Sequence, residues 1–71
     1  MQELRRHLGK RIRALRESKR WSQEECAHRC GLHRSYMGAV ERGEKNLTLS
    51  TLVVIVNTLE TSISKLFQGI G

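Results

Sequence analysis

Ser22 to Arg42, SQEECAHRCGLHRSYMGAVER, constrains this chain more than any other stretch. Ser22 and Glu25 have the S-x-x-E spacing of a capping box, in which each side chain satisfies a backbone donor at the other's position. Trp21, just before the cap, is placed to pack on Cys26 as a hydrophobic staple. A helix therefore starts at Gln23. It ends near Cys30, because Gly31 can take the left-handed conformation that stops a helix at little cost. A second helix runs from about Arg34 to Arg42, with Gly43 as its stop. The outcome is two short helices joined by a tight glycine turn.

The flanking sequence supplies packing partners for that pair. Leu4, Leu8, Ile12 and Leu15 recur at helical spacing, the apolar stripe of a helix from about Glu3 to Ser18. Arg5, Arg6, Lys10, Arg11, Arg13 and Arg16 occupy its other faces. Gly9 in its middle costs ~1 kcal/mol relative to alanine, so this helix is expected to lean on tertiary contacts. After the turn Gly43-Glu44-Lys45-Asn46, Thr48 caps a fourth helix and Leu47 staples to Leu52. On a helical wheel Leu49, Leu52, Val53, Val56 and Leu59 face the core and Ile55 lies at its margin. Val54 points outward with Ser50, Asn57 and Thr58. Thr61 and Ser62 open a short fifth helix from Ile63 to Gln68, which returns Ile63, Leu66 and Phe67 to the core before Gly69 ends it. No proline occurs in the 71 residues, so nothing interrupts these helices. The expected fold is all-α, one domain over residues 1–71 forming a compact five-helix bundle.

Net charge is +6, and its distribution matters more than its size. Residues 1–45 carry twelve Lys or Arg against six Asp or Glu, whereas residues 46–71 hold only Glu60 and Lys65. A basic face fits nucleic acid or an anionic membrane surface; the bland reading is a merely solubilising surface. The membrane reading is the weaker one. Leu47 to Leu59 is too short to span a bilayer and is broken by polar residues. The N-terminus lacks the apolar core of a signal peptide, which gives the expectation of a cytoplasmic protein with no membrane partner.

Cys26 and Cys30 share the inward face of the second helix with Ala27. Structural zinc sites use closer pairs and a second pair at a distance, so no metal is expected here even with His28 or His33 nearby. Helical geometry and a cytosolic setting argue against a disulfide. Both thiols read as small core hydrophobes, and no cofactor is expected.

Helix, glycine turn, helix is the helix-turn-helix arrangement, whose second helix can lie in the DNA major groove. Leu32, Met37 and Val40 anchor the third helix. His33, Arg34, Ser35, Gly38, Ala39 and Arg42 are then left on or near the outside. The planar fork of Arg34 fits the O6 and N7 acceptors of guanine, and Ser35 is a short, adaptable neighbour. Gly38 and Ala39 are small enough for close approach to the groove floor. Tyr36 is placed to reach a phosphate with its hydroxyl. The fourth helix carries no charge from Leu47 to Leu59. An uncharged outer face at Ser50, Val54, Asn57 and Thr58 suits packing on a second subunit, against the plain alternative of one exposed valine.

SQEECAHRCGLHRSYMGAVERG resembles the phage repressor/Cro-like, or XRE-type, helix-turn-helix family. It looks like that family's pattern of S/T-Q-x-x-L-A, then glycine, then a recognition helix ending in E-x-G. The resemblance runs from about Leu8 to Phe67. Arg34-Ser35-Tyr36 and Asn46-Leu47-Thr48 are most similar to the controller proteins of restriction–modification systems. The resemblance implies the lambda-repressor-like DNA-binding fold and roles for the matching positions. His33, Arg34, Ser35, Gly38 and Ala39 match positions facing base edges. Ser22, Gln23, Tyr36, Arg42, Lys45 and Asn46 match positions near phosphates. Arg16 and Glu41 match a partly buried ion pair tying the first helix to the third. Three residues depart from the pattern. Cys26 replaces leucine, His33 stands where Ser, Thr or Asp caps the third helix, and Glu60 stands where glycine ends the fourth.

The leading expectation is a homodimeric, sequence-specific regulator of transcription that binds double-stranded DNA at a roughly palindromic site. RNA polymerase is a further partner if it activates. The alternative is a protein-interaction module, an antitoxin or co-regulator, that uses the uncharged fourth helix to hold a partner. Catalysis is not expected: the histidines are scattered, and the chain has no phosphate-binding glycine loop and no paired-carboxylate site.

Overall fold

The apolar stripe at Leu4, Leu8, Ile12 and Leu15 forms one side of α1, Gln2–Ser18. The computed structural model describes residues 2–69, so Met1, Ile70 and Gly71, the ends of the expected domain, lie outside the described residues. Four helices follow: α2 Gln23–Cys30, α3 Arg34–Glu41, α4 Leu49–Thr58 and α5 Ile63–Phe67. Among the described residues no strand occurs, and no helix is long and apolar enough to cross a membrane. The core joins Leu8 and Ile12 to Cys26, Ala27, Met37, Val40, Leu52, Ile55, Val56, Leu59 and Leu66.

Side-chain oxygens start three of the short helices, each accepting the backbone N–H three residues on. Ser22 Oγ accepts from Glu25 at 3.0 Å, Thr48 Oγ1 from Thr51 at 3.2 Å and Ser62 Oγ from Lys65 at 3.1 Å. The expected capping box is only half made. Glu25 turns along its helix instead, and its carboxylate accepts from Arg29 Nε at 2.7 Å. Opposite charges four residues apart on one helix compete successfully for that side chain.

The inner face of α4 differs from the wheel. Leu49 and Val53, expected in the core, are 71% and 38% exposed, while Ile55, expected at the margin, is fully buried at 0%. Leu52, Ile55, Val56 and Leu59 form the true buried stripe, at helical spacing, against α2 and α5. A helix apolar on nearly every side does not fix its own rotation; the neighbouring helices do.

Among the described residues, two that are not glycine take left-handed backbone, Arg20 at φ 61° and Glu60 at φ 57°. Glu60 thus keeps the turn that a glycine would ordinarily make. Its carboxylate accepts from Lys19 Nζ at 2.6 Å, which holds its pKa below the usual carboxylate value.

Candidate nucleic-acid interface

The α2–α3 pair is set by its turn. Gly31 adopts φ 70°, and Leu32 N–H reaches back to Ala27 O at 2.8 Å, closing the end of α2. His33 caps α3: its Nδ1 accepts the Ser35 backbone N–H at 3.2 Å and lies 2.8 Å from Ser35 Oγ. A neutral imidazole that accepts at Nδ1 carries its proton on Nε2. An imidazole therefore does here what Ser, Thr or Asp does elsewhere. His33, Arg34 and Ser35 are all exposed, so the first turn of α3 is open to solvent.

The far end of α3 is enclosed. Arg16 Nε and Nη2 donate to the two carboxylate oxygens of Glu41 at 2.7 and 3.0 Å, a bidentate pair with both residues buried. Arg16 Nη1 also donates to Trp21 O at 2.8 Å, and Gln23 Nε2 donates to Glu41 Oε1 at 3.0 Å. One carboxylate thus ties α1, the start of α2 and the end of α3 together. Donating to the Glu41 carboxylate raises the Arg16 pKa above its ordinary value, so this guanidinium stays charged. Burial pushes the neighbouring Cys26 thiol up to about 12, with further contributions from Cys30.

Gly9 explains the approach of α1. A Cβ there would lie 2.5 Å from Glu41 O and 2.6 Å from Val40 O, a backbone contact that any side chain would push apart. Gly43, at φ 75°, similarly lies against the backbone of Arg6.

The expected site residues fall into distinct environments. Gly38 and Ala39, read from the sequence as near the outside, are buried. A Cβ at Gly38 would meet Arg42 Nη1 at 3.1 Å and Gln23 Oε1 at 3.3 Å, so those side chains lie across it. Tyr36 is half-buried against the core, with Lys45 Nζ 6.0 Å from its ring centroid. Arg42 Nε donates to Glu44 at 3.1 Å, which lowers the Glu44 pKa. Lys45 and Asn46 are exposed on the loop, and Asn46 Oδ1 accepts from Arg5 Nη1. Ser22 is exposed and Gln23 half-buried at the start of α2.

On α4, Ser50, Val54 and Asn57 are exposed and Thr58 is half-buried. Leu49 and Val53 join them outside. At helical spacing Leu49, Ser50, Val53, Val54 and Asn57 form one continuous uncharged stripe, more apolar than the sequence alone indicates.

The helix-turn-helix profile, HTH_3, matches residues 12–66. The chain belongs to the helix-turn-helix family. Among relatives, it is 45% identical over 64 residues to control protein C.SmaI of Serratia marcescens, covering 90% of this chain and 76% of that one. Its fold is similar to the crystal structure of the restriction–modification controller protein C.AhdI of Aeromonas hydrophila. The TM-score is 0.84 at 40% identity, over 89% of this chain and 96% of that one. It is also similar to the controller protein C.Esp1396I, solved as a tetramer in complex with its natural 35-base-pair operator. There the TM-score is 0.81 at 32% identity, over 92% of this chain and 86% of that one.

Within this helix-turn-helix frame, Leu49 and Val53 were missed because the wheel turned them inward. Arg5 was missed because its partners, Gly43 and Asn46, are distant in sequence and no local spacing announces them.

Proposed function

We propose that this chain is a homodimeric, sequence-specific DNA-binding regulator of transcription, of the controller type found in restriction–modification systems. The observation that carries the reading is the open first turn of α3, with His33, Arg34 and Ser35 exposed beside each other and the rest of the helix anchored. Arg34 reads guanine through its fork, His33 offers Nε2–H, and Ser35 lies next to them. Gly38 acts by being small, which lets Gln23 and Arg42 converge beside the helix. Ser22, Gln23, Tyr36, Arg42, Lys45 and Asn46 serve the DNA backbone. The operator-bound tetramer of C.Esp1396I supports DNA binding by an assembly of this fold.

The α4 stripe supports a second copy as the partner. Three exposed apolar side chains, Leu49, Val53 and Val54, on an uncharged helix face suit a symmetric interface. Such a dimer would set two recognition helices ~34 Å apart, one turn of duplex. This role places the protein in the cytoplasm with the chromosome, and RNA polymerase becomes a partner where it activates.

The test compares Arg34→Ala with Lys45→Ala on duplexes that the wild-type protein enriches from a random pool. Arg34→Ala is expected to weaken binding by about 1–3 kcal/mol and relax preference at one base position. Lys45→Ala is expected to weaken binding to all sequences alike. Unchanged discrimination by Arg34→Ala would remove α3 from the reading role.

A further inference from the structure

Arg5 on α1 spans the loop that follows α3. Its Nε donates to Gly43 O at 3.3 Å and its Nη1 donates to Asn46 Oδ1, so one guanidinium holds both ends of Gly43–Asn46. The anchor is close because Gly43 presses on the backbone of the next residue, Arg6. Arginine has donors only, so the amide of Asn46 must turn its oxygen toward Arg5. The amide is planar, and its Nδ2 donors therefore lie on the opposite branch of an exposed side chain. A group with two N–H donors and no acceptor facing out suits a phosphate oxygen.

We propose that Arg5 is a positioning residue for DNA-backbone binding, fixing the Asn46 amide so that Nδ2 meets a phosphate. This rests on the DNA-binding reading above. Arg5 acts through a neutral side chain, and that gives it a distinctive signature. Losing a neutral donor weakens binding equally at every salt concentration. Losing a direct arginine–phosphate contact also lowers the log–log salt slope by about 0.9.

The experiment measures affinity for the duplex that wild-type protein enriches, across a salt series, for Arg5→Met, Asn46→Ala and the double variant. Arg5→Met is expected to bind about tenfold more weakly with an unchanged slope, the size of one charge-assisted hydrogen bond. Asn46→Ala should lose a similar factor with the same slope, and adding Arg5→Met to it should cost less than about twofold. Arg5→Lys, which keeps a donor, should recover part of the loss. Thermal melting reports whether each variant folds. If Arg5→Met does not fold, Arg5→Lys and Asn46→Ala carry the test, since unchanged binding by Asn46→Ala overturns the proposal. A reduced slope in Arg5→Met, equal losses in both backgrounds, or undiminished binding would likewise overturn it. A wild-type protein that binds no duplex would end the DNA reading and this assignment together. Wild-type binding with an insensitive Arg5→Met would end the assignment alone.

Discussion

At its C-terminal end α3 is held by three other parts of the chain, whereas its first turn is held by a side chain of its own cap. Arg16, Gln23 and the backbone contact at Gly9 converge on Glu41 and Val40. His33 closes the other end, through Nδ1. The fixed end cannot adapt to a ligand without unfolding part of the core. The open end has side chains free to choose partners. A helix built this way can be placed accurately and still be read from outside.

The largest effect should come from the fixed end. Glu41→Gln leaves Arg16 buried without its counter-charge and should lower stability by about 3 kcal/mol, measured by denaturant unfolding. An unchanged midpoint would mean that the pair does not anchor α3. Next comes Gly9→Ala, whose methyl group would meet two backbone carbonyls; overpacking of this kind costs about 1–3 kcal/mol. Gly38→Ala is the contrast. Its methyl meets only the tips of Arg42 and Gln23, which can move, so melting should change little while DNA binding changes more. Equal destabilisation by the two alanines would erase the difference between a backbone contact and a side-chain cover.

At the open end His33→Ala should cost ~1 kcal/mol, the usual value of a lost helix cap, visible as a small shift in thermal unfolding. The last effect is confined to alkaline pH. The folded protein holds the Cys26 proton to about 12, whereas the ordinary value is 9.0. Above pH 9 the unfolded chain therefore binds fewer protons than the folded one. The stability from the buried neutral thiol is complete below that pH and is lost as pH rises toward 12. Cys26→Ala should flatten this alkaline decline relative to wild type, as read from melting temperature against pH.

The contrast also explains what was legible in the sequence. Capping serines, the Gly31 turn and the anchoring Met37 and Val40 obey local rules, and these placed α2 and α3 to within a residue. His33 could not be read as a cap from its type alone, since its service depends on which ring nitrogen faces Ser35. The rotation of α4 was illegible for a different reason: Leu49, Leu52, Val53, Ile55 and Val56 offer several equally apolar faces, and only packing chooses among them. Arg5 lies still further from sequence reasoning. Its bond to Asn46 spans the whole helix-turn-helix unit, and Gly38 looked exposed because the cover that Gln23 gives it from α2 is also tertiary.

The most direct measurement is selection of bound duplexes from a random DNA pool at two salt concentrations. An open first turn on each of two symmetric copies predicts an enriched motif of two related half-sites about one helical turn apart, with affinity falling steeply as salt rises. Salt-sensitive binding without enrichment would contradict the account, because α3 would then touch DNA without reading it.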